Sequence, residues 1–348
     1  MSDVLILSAI VMLVLLFLKV PVYIAVLGGS MVYFVLNPDI NAVVFAQQAI
    51  IGTEKISLMA IPFFICAGIF MNYTGVTKRI MDFCEVVTGR LPGGLAQVNV
   101  LLSTVMGGLS GSNIADAAME SKMMVPEMTK KGFSLEFSSV VTAASSMITP
   151  LIPPGIAMIL YGCIANVSIG KLFISGFGVG GLLCITMMIL VGVISKKRGY
   201  GNLTTEKLTW PRFWKAFKPA VLPLLLPIII IGGIRIGIFT ATEAGAVAIL
   251  YAALLGVIYR EMLVKDMVQD LKETVCSTAS IMLIVSAASV FSWILTKERI
   301  PQTLTAWMLA NIHSKFVFLI VVNIFLLLVG MFIEGNASMI ILVPLLAP

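Results

Sequence analysis

The sequence predicts an all-α polytopic membrane protein built as an inverted repeat, with two re-entrant hairpins and broken helices. Three observations predict it. First, of 348 residues 59% are hydrophobic and only 11% charged, where a soluble chain carries about a quarter charged residues. Second, apolar runs of helical length are interrupted by polar, glycine-bearing stretches at Gly107-Gly-Leu-Ser-Gly-Ser-Asn-Ile-Ala-Asp116 and Glu334-Gly-Asn-Ala-Ser338. Third, the elements leading into the two interruptions follow the same order. Backbone exposed in a bilayer costs several kcal/mol per unsatisfied group unless protein or a water-filled cavity receives it. A carboxylate such as Asp116 adds roughly 2.5–3.5 kcal/mol at the bilayer centre on insertion scales. The first interruption is therefore expected to be re-entrant, with its glycines breaking the helix, and to bind something.

The formal net charge of +6 comes from loops, so it reports orientation in the bilayer and not nucleic-acid binding. Met1-Ser2-Asp3 has no basic leader, and the apolar run from Val4 continues into further membrane sequence. Cys66, Cys84, Cys163, Cys184 and Cys276 are widely spaced, form no CxxC and read as packing residues.

Val4 to Leu18 is a first span, ended by Lys19 and Pro21. Val22 to Leu36 is a second, with Gly28-Gly29 allowing close packing. Asn37 to Thr53 is a polar connection, and Ile56 to Asn72 is the third span. From Gly75 to Arg90, charged residues alternate with Ile80, Met81, Phe83 and Val86-Val87 at helical spacing, which suits a helix lying in the interface. Gln97 to Met106 and Ala117 to Met128 are each too short to cross, since about 20 residues are needed. Together with the polar tip between them they make a hairpin over 94–128.

Residues 133–165 are long enough to span but are broken at Thr149-Pro-Leu-Ile-Pro-Pro-Gly155, since three prolines and a glycine preclude continuous helix. Leu172 to Ile194 is a clean span. Ser195 to Lys218 carries Lys196, Lys197, Arg198, Lys207, Arg212, Lys215 and Lys218 against Glu206, which places it in the cytoplasm and the N-terminus outside. Ala220 to Ile236 and Ala241 to Tyr259 are further spans, joined through a charged connection, Arg260 to Glu273, to a span at Val275 to Leu295. Lys297 to Ala310 reads as a second interfacial helix, and Phe316 to Phe332 leads into the second polar interruption. Trp210, Trp214, Trp293 and Trp307 read as interface anchors. Arg235 and Glu243 flank an outer loop and read as an ion pair or a subunit contact.

Ala67-Gly-Ile-Phe70 before Thr77-Lys-Arg-Ile80 echoes Ala288-Ser-Val-Phe291 before Thr296-Lys-Glu-Arg-Ile300, so Gly111 would correspond to Gly335. An odd number of crossings separates the copies, which gives them opposite orientation. Inverted repeats with interruptions at matching positions point to a transport site near the midplane. The expected organisation is scaffold and interfacial arm at 1–93, transport domain of the first repeat at 94–194, cytoplasmic loop, scaffold and arm of the second repeat at 195–314, and the start of a second hairpin at 315–348. The second repeat is expected to be incomplete at the C-terminus.

A hairpin tip facing a broken helix offers N–H groups to an anion and free carbonyls to a cation. Ser110, Ser112, Asn113 and Thr149 add side-chain oxygens suited to Na⁺. Asp116 reads either as a structural acid holding the hairpin or as part of the cation site. Glu334 reads equally as site or cap.

With these residues in place, Gly107–Asp116, Thr149–Gly155, Gly237-Ile-Phe-Thr-Ala-Thr-Glu-Ala-Gly-Ala-Val247 and Gly330-Met-Phe-Ile-Glu-Gly-Asn336 resemble the large membrane subunit (M or DctM type) of TRAP, tripartite ATP-independent periplasmic, transporters. The resemblance covers the whole chain. It implies a Na⁺-coupled importer of an organic acid (a C4-dicarboxylate, sialic acid or another sugar acid) in a bacterial inner membrane, working as an elevator with the ion-transporter-like fold. It also implies a small four-helix membrane subunit of Q type, a periplasmic substrate-binding protein of P type, and at least two Na⁺. One Na⁺ site would involve Ser110, Gly111, Ser112, Asn113, Thr149, Pro150, Pro153 and Gly155. A second would involve Gly335 and Asn336, with Asp116, Pro154, Glu334 and Ser338 supporting these sites or the substrate. Two other readings compete. One is a single-component Na⁺–carboxylate symporter. The other is an intramembrane serine protease built on Gly108-Leu-Ser-Gly111, whose serine would need His313, the single histidine, as base.

Overall fold

The computed structural model describes residues 3–204, 206, 209–260, 264–303, 306, 314–331 and 333–346. The described helices are α1 (Asp3–Phe17), α2 (Val22–Leu36), α3 (Val43–Ile51), α4 (Ala60–Tyr73), α5 (Val76–Thr88), α6 (Gly94–Ser110), α7 (Asn113–Lys130), α8 (Leu135–Ser145), α9 (Ile156–Ile164), α10 (Ile169–Arg198), α11 (Trp210–Ile236), α12 (Ala241–Tyr259), α13 (Val264–Lys297), α14 (Lys315–Gly330) and α15 (Gly335–Leu346). Short 3₁₀ turns lie at Ile56–Met59 and Thr149–Leu151. No strand occurs among the described residues.

Among the described residues five helical segments are long and apolar enough to cross a membrane: Ile56–Tyr73, Ile169–Arg198, Trp210–Ile236, Ala241–Tyr259 and Met267–Lys297. The pair Leu135–Leu151 and Ile156–Ile164, bent by 47°, makes a sixth candidate. The protein is an all-α, multi-pass membrane protein.

The chain forms two compact units. One comprises Met1–Leu58, Leu160–Val167 and Ser277–Pro348, and the other Met59–Ile159 and Ser168–Cys276. In the first, α1 and α2 pack closely at Gly29, where the Ser8 hydroxyl donates to the glycine carbonyl at 2.6 Å. A Cβ at Gly29 would lie 2.8 Å from Met12 Cβ. Met12 and Val26 share an apolar core with Ala287, Phe291, Leu295 and Ile341. In the second unit α6 is the central element and packs against α4, α5, α7, α8 and α10. Its residues from Gly94 to Val100 are buried without exception, as are those from Met106 to Ser110.

Several elements depart from the sequence reading. The predicted spans Val4–Leu18 and Val22–Leu36 become helices of 15 residues each. At 1.5 Å per residue each covers about 22 Å, short of the ~30 Å hydrocarbon core. α14, predicted as Phe316–Phe332, is likewise only 16 residues long. The polar connection 37–53 contains a helix, α3, because Val43 to Ile51 lacks a breaker until Gly52.

α10 runs on through Lys196, Lys197 and Arg198, whose charges favour a helix C-terminus. α13 likewise absorbs most of the charged connection before Glu273. α11 begins ten residues earlier than predicted and carries Pro219, Pro223 and Pro227 inside it. Each proline lacks the N–H owed to the carbonyl four residues earlier. The carbonyl freed by Pro223 is that of Pro219, and the Tyr259 hydroxyl donates to it at 3.1 Å.

The amphipathic helix expected over 75–90 forms as α5, whose buried residues Val76, Thr77, Ile80, Cys84 and Thr88 form one stripe. Glu243 is engaged with Thr240 in a capping box at the start of α12: its carboxylate accepts the Thr240 N–H at 2.7 Å and the hydroxyl at 2.8 Å. Cap formation is thus its structural role, rather than the predicted ion pair. Lys297 ends α13 and residues 300–303 are helical, while most of the rest of 297–310, Trp307 and His313 lie outside the described residues.

Candidate functional site at the hairpin tip

The hairpin forms where the sequence puts it, but the break is sharper than the predicted double-glycine interruption. Gly107 and Gly108 stay helical and α6 ends at Ser110. The turn is made at Gly111, whose φ of +62° suits glycine. Ser112 then caps α7, with its Oγ accepting from the Ala115 N–H at 3.4 Å. What the helical glycines provide is close approach. A Cβ at Gly107 would lie 2.8 Å from the Thr149 carbonyl oxygen, and one at Gly111 2.7 Å from that of Pro154. A Cβ at Gly155 would lie 2.2 Å from the Pro150 carbonyl oxygen, and one at Gly68 2.8 Å from that of Ser110. The tip is therefore seated against the broken helix backbone to backbone.

The broken helix meets it with the turn Thr149–Leu151 and the segment Ile152-Pro153-Pro154-Gly155, whose Pro153–Pro154 bond is cis. Asp116 ties the two together. It is fully buried and accepts the Ser110 hydroxyl at 2.6 Å on Oδ1 and the Thr149 hydroxyl at 2.7 Å on Oδ2. A hydroxyl that gives its proton to a carboxylate keeps its lone pairs for another partner. Ser110 and Thr149 are thereby oriented as acceptors, which is what an oxygen-seeking cation needs. Ser110, Gly111, Asp116, Thr149, Pro153, Pro154 and Gly155 are buried, while Ser112, Asn113 and Pro150 are half-buried. All ten lie within one unit. Among the described residues no three His, Cys, Asp or Glu side chains come together to hold a metal, so any cation here meets mainly hydroxyl, amide and carbonyl oxygens.

The second tip is built differently. Glu334 precedes α15, and its carbonyl accepts the Ser338 N–H at 2.8 Å. Asn336 Nδ2 donates to Glu334 Oε1 at 3.0 Å, and the Ser338 hydroxyl to the Ile333 carbonyl at 3.4 Å. Glu334 and Gly335 are exposed. Gly335 lies outside the left-handed region, with no described atom within 4 Å of a Cβ built there. The expected match of Gly111 with Gly335 is therefore corrected: Gly111 is the turn between helices, Gly335 the first residue of one. The positions that match are Ser112 and Glu334, whose carbonyls each accept the N–H four residues on.

Two features escape the sequence reading. Beneath the first tip, Ser103 donates to Glu120 Oε2 at 2.6 Å and Asn99 Nδ2 to Thr142 Oγ1 at 2.6 Å. Asn99 and Ser103, like Asp116 and Glu120, are four residues apart, so each pair shares a helix face; that spacing was the available signal. In the other unit a cleft of about 300 Å³ is lined by Lys55, Gln48, Ser289, Ser292, Trp293 and Thr296 among others. Lys55 Nζ donates to the Cys163 carbonyl at 3.3 Å.

A multi-pass helical membrane protein whose half-length helices enclose a polar, glycine-turned tip against a proline-broken helix belongs to the transporter class, not to the enzymes. Residues 9–348 match the family described as Tripartite ATP-independent periplasmic transporter, DctM component, and the chain belongs to it. It is 39% identical to the sialic acid TRAP transporter large permease protein of Vibrio cholerae over 96% of this chain and 78% of the relative. It is 33% identical to a sialic acid TRAP transporter permease protein of Haemophilus influenzae, over 98% of this chain and 55% of that longer relative. Identity to the C4-dicarboxylate TRAP transporter large permease protein of Pseudomonas aeruginosa is 34%, over 92% of this chain and 75% of the relative.

Proposed function

We propose that the chain acts as the large membrane subunit of a Na⁺-coupled organic-acid importer in a bacterial inner membrane, with its N-terminus on the periplasmic side. The observation that carries the Na⁺ reading is the buried tip, where Ser110 and Thr149 hand their protons to Asp116 and each keeps a lone pair near the carbonyls of Pro150, Pro153 and Pro154. One Na⁺ binds among Ser110, Gly111, Ser112, Asn113, Thr149, Pro150, Pro153 and Gly155, with Asp116 and Pro154 supporting the walls. A second Na⁺ binds around Gly335 and Asn336, with Glu334 and Ser338 beside it. A periplasmic binding protein delivers the substrate, a small four-helix subunit completes the membrane part, and residues 94–194 move with the cargo as an elevator.

The substrate is an anion of the sugar-acid or dicarboxylate kind, as the relatives named for sialic acid and C4-dicarboxylate suggest. The cleft at Lys55 supports this, since it offers an ammonium, hydroxyls and an amide to a carboxylate carrying hydroxyls. Lys55→Met is expected to reduce uptake at least tenfold, roughly the worth of one charge-assisted hydrogen bond; uptake within twofold of wild type would remove the cleft from the pathway.

Reconstitution tests the whole reading. Proteoliposomes holding the membrane subunits should accumulate radiolabelled acid only with an inward Na⁺ gradient and the soluble binding protein outside. Uptake of free acid without that protein would favour a single-component symporter.

A further inference from the structure

Glu120 lies one turn beyond Asp116 on the buried face of α7 and plays no part in the tip. It is fully buried. The Ser103 hydroxyl donates to its Oε2, whereas its Oε1 has no hydrogen-bond partner. Asn99 Oδ1, one turn from Ser103 on α6, is a second fully buried acceptor without a donor. Among the described residues the titratable groups that interact with Glu120 are Asp116 on its own helix and Cys84 on α5, neither of which carries positive charge. From α6 and α8 the neighbouring polar groups are the neutral side chains of Asn99, Ser103 and Thr142. Among the described residues neither carboxyl makes an ion pair. Two fully buried carboxylates one turn apart, neither with an ion-pair partner among the described residues, are strongly disfavoured when both are ionised. Among the described residues the region lacks a donor and a positive charge at the same place.

We propose that Glu120 is a proton-binding site inside the hairpin, separate from the tip, whose proton supplies that missing donor and charge. A proton fits where a larger cation would not, because it needs no coordination shell and bonds directly to the unpartnered Oε1. The site deepens the Na⁺ reading and rests on it in one respect: positive charge beside Asp116 favours the ionised form of Glu120, so filling the tip expels the proton. By linkage, the apparent Na⁺ affinity then strengthens by at most about tenfold per pH unit as pH rises.

The test uses purified full-length protein with infrared difference spectroscopy of the neutral carboxyl stretch. In Na⁺-free buffer, raising the pH should remove a neutral-carboxyl band in wild type, and Glu120→Gln should lack that band. Glutamine keeps an acceptor for Ser103, so the variant retains its fold. Ser103→Ala, which withdraws a donor to the ionised form, should move the titration to higher pH by roughly one unit. Identical titrations in wild type and Glu120→Gln overturn the site, whatever the fate of the Na⁺ reading. At fixed pH, adding NaCl but not KCl should release protons to a dye in weak buffer, in wild type and not in Glu120→Gln. Na⁺ binding without such release overturns the linkage while leaving Na⁺ coupling itself intact.

Discussion

The two tips show what separates a prepared site from a polar turn. At the first, the turn glycine holds φ at +62°, and a Cβ there would press on the Pro154 carbonyl. Its hydroxyls converge on one buried carboxylate from two segments of chain. At the second, Gly335 is the first residue of a helix, with no described atom within 4 Å of a Cβ built there, and Asn336 and Glu334 bond each other on an exposed surface. Similar composition thus gives a turn between helices in one place and the first turn of a helix in the other. The difference lies in whether backbone from another element closes on the glycine.

Glycine replacement should expose this contrast most strongly. Gly111→Ala forces an L-residue into the left-handed region, at about 1–2 kcal/mol, and also drives its methyl into the Pro154 carbonyl. Uptake should fall at least tenfold, with a lower melting temperature for the detergent-purified protein. Gly335→Ala should stay within about 0.5 kcal/mol of wild-type stability, as surface changes usually do. Equal sensitivity at the two glycines would erase the distinction.

A smaller effect is expected from the acids. Asp116→Asn leaves a single carbonyl to accept two buried hydroxyls, and one lost buried partner costs about 1–3 kcal/mol. Glu334→Gln keeps an acceptor for Asn336 on an exposed surface, and thermal unfolding should shift little. If Glu334→Gln destabilises as much as Asp116→Asn, the second tip is as tightly built as the first.

Much of this was legible in the residues. Pro150, Pro153, Pro154 and Gly155 announce the broken helix because ring sterics and missing N–H groups allow nothing else. The hairpin is legible from two half-length runs around a polar turn. Gly107-Gly108 misled, since glycine in a helix is as consistent with close backbone packing as with a break, and only the neighbour decides. The end of α10 and the start of α11 were clear only in part, because charge near a helix end reads like a loop. Asp116 was visible as costly, but its two hydroxyl partners come from positions 6 and 33 residues away in opposite chain directions. Glu120 was hidden for the same reason: its significance lies in what fails to approach it.

The sodium dependence of uptake by Ser112→Ala/Asn113→Ala tests the tip most directly. Both side chains sit at the half-buried mouth of the tip, and neither takes part in the Asp116 bridge. In proteoliposomes with the binding protein present, the Na⁺ concentration for half-maximal uptake should rise about tenfold, the worth of roughly 1.4 kcal/mol of lost coordination. An unchanged Na⁺ dependence in a folded, assembled variant would contradict cation binding at this tip.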